Sequence, residues 1–283
     1  MSEPAHTAFA KSNFSKSGSS GLYDRARPDY PSEAIDQILS RLAAGSNSTV
    51  VELGAGTGLF TRGFLERAQQ PSNAGKVARL VAVEPSEGMR QGFMNKLDQS
   101  QGTIRVECED GLFDQIPVED ASADLVVIAQ AFHWVGHDGR SAVKEIARVL
   151  KPGGTWALIW NLENRDVEWI AQIREKYERF EQDTPQYRLG YWRSIYDTTE
   201  YESAFTLPTE SHYTRALPTT EDLVVDRAFS KSYITALSDA ERDTLGNEIR
   251  EVVRKGDGKR WIDKDQGVFE YDYKTDLVLA QRK

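Results

Sequence analysis

Through residue 160 the chain alternates short apolar runs with amphipathic stretches. Ile35, Ile38, Leu39 and Leu42 fall at i, i+3, i+4 and i+7 and predict a helix. Pro28 and Pro31 stiffen an extended approach to it, and Ser32 is placed to cap it. Five apolar runs predict strands: 49–53 (TVVEL), 79–84 (RLVAVE), 103–108 (TIRVEC), 124–129 (DLVVIA) and 155–160 (TWALIW). Helical spacing lies between them, through Phe60, Phe64 and Leu65, then Met89, Phe93 and Leu97, then Val143, Ile146, Ala147 and Leu150. The last of these is expected to stop at a Lys151-Pro152-Gly153-Gly154 loop. Strands apolar on both faces and separated by helices imply a mostly parallel sheet covered on both sides. Beyond residue 160 a helix carries Trp169, Ile170, Ile173, Tyr177 and Phe180. A polar, aromatic-rich stretch (183–218) holds one strand near His212 and Tyr213, and a further helix carries Leu245, Ile249, Val252 and Val253. Strict alternation over 268–283 predicts a late antiparallel strand. The pattern shows neither internal repeats nor a second core, so 22–283 is expected to be one domain. Within it, 49–160 binds a ligand and 161–283 completes the sheet and roofs one end. Residues 1–21, small and serine-rich, read as a flexible tail.

Composition narrows the partners. A chain of 283 residues with 10% aromatics can bury a sizeable core without disulfides. The net charge of -9 repels a phosphate backbone, so no nucleic-acid partner is expected. The single cysteine, Cys108, excludes an internal disulfide and a multi-cysteine metal site, and no metal is expected. No apolar run approaches the roughly 18 residues of a membrane helix, and the first residues lack a signal-peptide core. A cytoplasmic monomer or homodimer, off the membrane, acting on a small molecule, fits these bounds.

The strongest chemical signal is Val50-Val51-Glu52-Leu53-Gly54-Ala55-Gly56-Thr57-Gly58. A strand enters a tight turn and then a helix, with glycines that let backbone approach a ligand. A nicotinamide dinucleotide loop requires G-x-G-x-x-G, but Leu59 stands where the third glycine belongs. Glu52 would repel a pyrophosphate and attract an amino group or a sulfonium. On charge alone the loop favours S-adenosylmethionine.

The loop resembles that of the class I S-adenosylmethionine-dependent methyltransferases, and further blocks follow in family order. They are Val83-Glu84-Pro85-Ser86 with Met89, Ile116-Pro117-Val118 through Asp124, Ala129–Trp134, and Arg148–Gly154. Tyr23–Pro31 is similar to the segment before the first helix in small-molecule members of the trans-aconitate type. The resemblance implies a Rossmann-like, doubly wound α/β fold. Its mostly parallel seven-stranded sheet ends in an antiparallel strand and carries helical additions over the carboxyl ends of the strands. It implies that Glu52, Gly54, Ala55, Gly56 and Gly58 line the cofactor, that Glu84 accepts both ribose hydroxyls, and that Pro85 and Met89 flank the adenine. Tyr23, Arg27, Ala129 and Gln130 are placed at the methionine end. Many relatives carry an acid at the adenine edge; here the aligned position is Leu112, followed by Phe113, with Asp110 and Gly111 just upstream.

Asp124 reads as a structural turn or cap residue, and Cys108 as a small, buried apolar side chain. No Pro-Cys nucleophile and no N/D-P-P-Y motif is present, which argues against nucleobase methylation. His133 follows strand four and is the one candidate general base, set against a packed ring between Phe132 and Trp134. Trp134, Arg188, Trp192 and Arg193 are candidate substrate contacts, the arginines as a clamp for an anion. The reading is a methyltransferase acting on a small molecule, with a carboxylate as the favoured acceptor. A cofactor-binding regulatory protein without turnover is the alternative.

Overall fold

The apolar runs form β1 (Ser48–Leu53), β2 (Val77–Val83), β3 (Arg105–Glu109), β4 (Ala123–Ala129) and β5 (Leu150–Glu163). Before β1 lies α1 (Ser32–Leu39), and between the strands lie α2 (Leu59–Ala68), α3 (Glu87–Lys96) and α4 (Arg140–Val149). After β5 come α5 (Glu168–Glu178), α6 (Thr199–Ala204), β6 (Thr209–Thr219), α7 (Glu221–Phe229), α8 (Asp239–Lys255), β7 (Trp261–Asp263) and β8 (Val268–Gln281). The computed structural model describes residues 26–97, 102–256 and 258–283, so the tail and Tyr23 lie outside the described residues.

Hydrogen bonding orders the strands β3-β2-β1-β4-β5-β8-β6, with β7 paired to β8. β1 is parallel to β2 and to β4, β2 to β3, and β4 to β5, while the last strand is antiparallel to β7. The sheet therefore has eight strands, not seven: β7 is three exposed residues, too short to show a period. The chain winds outward through β2 and β3, then returns to β4 on the other side of β1. Strand order reverses there, and an open α/β sheet takes its ligand at the carboxyl ends of the strands flanking that reversal.

Three further expectations change. Ser32 does not cap α1: its hydroxyl donates to Glu33 Oε2, and the Pro31 carbonyl takes the amides of Ala34 and Ile35. Lys151–Gly154 is not a separate loop but a bulge within β5, because Ala123 pairs with Leu150 and Leu125 already with Thr155. Asp124 pins this region as a structural residue, accepting from the Thr49 amide at 2.8 Å and from Lys151 Nζ at 2.8 Å.

The chain divides into two compact units. The larger is Asp29–Trp160, Pro185–His212 and Asp276–Lys283, and its core packs Val51, Val126, Ile128, Phe132, Trp156, Trp160 and Trp192. The smaller is Met1–Pro28, Asn161–Thr184 and Tyr213–Thr275. It has its own buried cluster of Trp169, Ile173, Tyr177, Val224, Leu245, Ile249, Phe269 and Tyr271, where the sequence reading expects no second core. Alternation along β8 shows which residues share a face, but not which core that face enters. Among the described residues no helix is long and apolar enough to cross a membrane, and no cluster of His, Cys, Asp and Glu could hold a metal ion.

Candidate active site

β1 delivers Glu52 and then the glycine turn. Gly54 and Ala55 both donate to the Val83 carbonyl, at 2.8 and 3.2 Å, which fastens the turn to the end of β2. The three glycines serve different ends. A Cβ on Gly54 would lie 2.7 Å from Ala131 Cβ, so this glycine lets the segment after β4 approach β1. A Cβ on Gly58 would lie 2.8 Å from the Phe93 ring of α3, so that glycine seats the start of α2. At Gly56, with φ +57°, a Cβ would meet nothing within 4 Å. Packing is not the reason for a glycine at 56; the left-handed backbone and the open space beside it are.

That space is bordered by Glu84. Its Oε2 accepts from the Gly56 amide at 2.9 Å and its Oε1 from the Ser86 amide at 2.9 Å. Each oxygen keeps a second lone pair, so the carboxylate is oriented yet still able to accept two hydroxyls. Burial pushes the Glu84 proton affinity up, against the pull of the two amides. Glu52 is more enclosed, at 1% exposure. Its Oε2 accepts from Thr61 Oγ1 at 2.6 Å, and burial pushes it up to about 8. A cation placed near it would draw the proton off. Arg90, unremarked in the sequence, donates to the Glu84 carbonyl at 2.7 Å and to Asp110 Oδ1 at 3.2 Å.

Met89 is buried on α3, three positions after Ser86, whose hydroxyl accepts from the Met89 amide and caps that helix. Leu112 and Gln115 exchange backbone hydrogen bonds at 3.1 and 3.2 Å, closing a tight turn. A Cβ on Gly111 would lie 2.7 Å from Val83 and 2.9 Å from the Gln115 carbonyl, so this glycine is required by packing. The Phe113 ring stands 5.9 Å from that of Phe132 and beside Gly54. Arg148 holds the whole segment, donating to the carbonyls of Ile116 and Val118 at 3.0 Å each and to Glu145 and Asp120.

At the end of β4, Gln130 has φ +58°, a strained conformation for a residue with a side chain and a common mark of a functional turn. Its amide donates to the Ile159 carbonyl at 2.8 Å. A 3-10 helix, Phe132–Val135, follows and carries His133 and Trp134 with ring centroids 5.4 Å apart. Trp160 Nε1–H donates to His133 Nδ1 at 3.4 Å. Trp160 lies in turn 4.5 Å from the Tyr187 ring and 4.7 Å from that of Trp192. The Tyr187 hydroxyl donates to Asp276 Oδ2 at 2.6 Å, and His212 Nδ1 is 2.7 Å from Asp276 Oδ1.

The candidate substrate residues separate. Trp192 is fully buried, a core residue rather than an open wall. Arg193 is committed to Glu210 by two hydrogen bonds, at 2.6 and 3.0 Å, over the Trp192 ring, so it is not the expected anion clamp. Arg188 is exposed. Arg27 belongs to the smaller unit, where its Nη2 donates to the Ser230 carbonyl at 2.9 Å. Sequence reasoning missed Thr61, Arg90, Trp160 and Asp276. None lies in a motif, and only the fold brings them to these partners.

A methyltransferase domain model matches residues 51–158, the stretch running from β1 into β5. A methyltransferase-like protein of Schizosaccharomyces pombe, itself uncharacterized, is 31% identical over 236 residues, covering 82% of this chain and 83% of that one. The chain belongs to the class I S-adenosylmethionine-dependent methyltransferases. An uncharacterized methyltransferase of Mycobacterium tuberculosis is 37% identical over 155 residues, 55% of each chain. The fold is shared more widely. A chain from Anaeromyxobacter dehalogenans, provisionally assigned as a type II methyltransferase, superposes with a TM-score of 0.60 at 20% identity, covering 90% of this chain and 97% of that one. The YcgJ protein of Bacillus subtilis does so at 0.52 and 18%, covering 89% and 98%.

Proposed function

We propose that this methyltransferase binds S-adenosylmethionine at the Gly54–Gly58 turn and methylates the oxygen of a small-molecule carboxylate, in the cytoplasm and without nucleic acid, membrane or metal. The observation that carries cofactor binding is the open space at Gly56 beside a carboxylate already oriented by two amides. The residues fit the group: Glu84 offers acceptors for a vicinal diol, Glu52 a carboxylate for a cation, and Met89 an apolar surface for a base. Bound S-adenosylmethionine supplies a methyl group already activated on a sulfonium.

The chain's task is then to hold the acceptor in line and keep water away, which can account for much of the rate. Trp160, Tyr187 and Trp192 form an aromatic layer suited to excluding water. The surroundings of His133 support an acceptor that needs no base. The Trp160 indole N–H can only donate, so the imidazole turns its Nδ1 lone pair to it and carries its proton on Nε2. A ring in that tautomer has no free lone pair with which to take a proton. An acceptor that is already an anion needs no base, and this favours a carboxylate over a phenol or an amine.

Calorimetric titration with S-adenosylmethionine, S-adenosylhomocysteine and NAD tests the cofactor. Transfer of a labelled methyl group to panels of carboxylates, phenols and amines tests the acceptor. Tight binding of both sulfur ligands with base-labile product from carboxylates is expected. Preferential binding of NAD would sink the first reading, and turnover confined to phenols or amines the second. Cofactor binding without transfer to any panel would favour a regulatory protein.

A further inference from the structure

The smaller unit contains a buried charge cluster that the methyl-transfer reading does not use. Glu163, at the end of β5, is 3% exposed. Its Oε1 accepts from Arg227 Nη2 at 2.9 Å and from Lys231 Nζ at 3.1 Å. Arg227 lies on α7 and Lys231 just past its end, four residues on. Arg174, on α5, donates to the Glu163 carbonyl at 2.7 Å but is paired through its side chain with Glu178, which also pairs with Arg165. Arg27 joins from the N-terminal segment through the Ser230 carbonyl, and Arg227 Nη1 donates to Ser230 Oγ. Lys231 Nζ stands 4.4 Å above the Tyr177 ring.

With Arg165 and Arg174 assigned to Glu178, the charges of Arg227 and Lys231 share one carboxylate, that of Glu163. Buried charge of one sign in excess is unfavourable unless something of opposite sign offsets it. Two buried donors here also lack hydrogen-bond partners: Arg227 Nε, and the hydroxyl of Tyr177. Buried donors are nearly always satisfied, so an unsatisfied pair beside excess positive charge indicates a ligand that accepts. Lys231 shows the same strain. Burial pulls it down to about 7, with Arg227, Arg27 and Arg174 pushing the same way and Glu163 alone opposing.

We propose that this cluster binds a small oxyanion, a carboxylate or a phosphate group, through Arg227, Lys231 and the Tyr177 hydroxyl. The groups facing that lysine are Glu163 from β5, Arg174 and Tyr177 from α5, Arg227 from α7, and Arg27. The site does not depend on methyl transfer, and binding alone reads it.

The full chain is titrated calorimetrically with malonate and, separately, with inorganic sulfate as a surrogate for a phosphate group. Both anions stay ionised between pH 6.5 and 8.5. Saturable binding of one or both is expected, weakening about tenfold as pH rises across that span, since charging the lysine then requires a proton from solvent. Near pH 8 the heat in two buffers of different ionisation enthalpy reports net proton uptake. Malonate alone identifies a carboxylate site, sulfate alone a phosphate site. Lys231→Met removes the pH dependence and the uptake. Tyr177→Phe keeps the ring under the lysine and removes only the unpartnered hydroxyl. It therefore weakens the anion several-fold while leaving the melting temperature unchanged, and it keeps the test open if Lys231→Met fails to fold. Absence of saturable binding by either anion overturns the proposal, as does binding that ignores pH and Tyr177→Phe.

Discussion

Glu52 in the larger unit and Glu163 in the smaller are glutamates of β1 and β5 with almost no exposed surface, yet their protons behave in opposite ways. Burial opposes ionisation at both. At Glu52 only the Thr61 hydroxyl and the charge of Arg62 answer it, Glu84 adds repulsion, and the carboxyl is pushed up to about 8. At Glu163 the charges of Arg227, Lys231 and Arg174 outweigh burial and hold the carboxyl well below the usual range. The difference is a cation in contact. A buried acid that has only a more distant charge is poised for a cationic ligand, whereas a buried acid in contact with its own cations leaves that charge in excess.

The comparison breaks most visibly at the turn that borders the ligand space. Gly56→Val puts a β-branched side chain at φ +57° and into open space, so S-adenosylhomocysteine affinity should fall by roughly a hundredfold or more, from strain of about 1–3 kcal/mol plus steric exclusion. Calorimetry with a thermal melt checks it, and a variant that melts normally and binds normally would remove the turn from the site. Next comes Glu52. Because its carboxyl ionises near pH 8, affinity for the cationic S-adenosylmethionine should rise on the order of tenfold from pH 6.5 to 9, and Glu52→Gln should flatten that rise.

The two units also predict opposite stability slopes. Glu52 holds its proton longer when folded than unfolded, so its contribution falls as pH rises from about 4.5 to 8. Lys231 loses its proton earlier when folded, so its contribution rises from about pH 7 to 10.5. Urea melts across pH should show Glu52→Gln removing the fall and Lys231→Met removing the rise. Identical profiles for both variants would show that neither group titrates as its surroundings dictate.

Smaller effects follow. His133→Ala should lower the maximal rate by less than about tenfold and leave its pH profile flat, whereas a positioned base would be worth about two to four powers of ten. Steady-state kinetics on the acceptor found by the screen decide this. Arg193→Ala should change stability by about 1 kcal/mol and turnover hardly at all, because it breaks a half-exposed pair with Glu210 and a contact over the Trp192 ring.

Legibility in the sequence followed the range of the physics. Parallel strands and the glycine turn are local: apolar runs, a tight turn and a helix start are visible within ten residues, and Glu52 and Gly56 are legible that way, whereas Glu84 is reached only through the family resemblance. Long-range pairings were not. Nothing near Trp160 marks it as the donor to His133, and nothing near Arg193 shows that Glu210 takes it. The alternation that correctly predicted β8 could not show that Phe269 and Tyr271 enter a core separate from that of Val278. The short helix α6 and the three-residue β7 offered no full period to detect.

Arg148 latches the Ile116–Val118 segment. Its guanidinium holds the carbonyls of Ile116 and Val118, while the Ile116 amide donates to Glu145 Oε1 at 2.9 Å. That amide can exchange its hydrogen with solvent only when Glu145 lets go, and Glu145 is itself gripped by Arg148. Hydrogen exchange at this one backbone position therefore clocks the opening of the segment that carries Leu112 and Phe113 against α4, from outside the glycine turn and with no need for turnover.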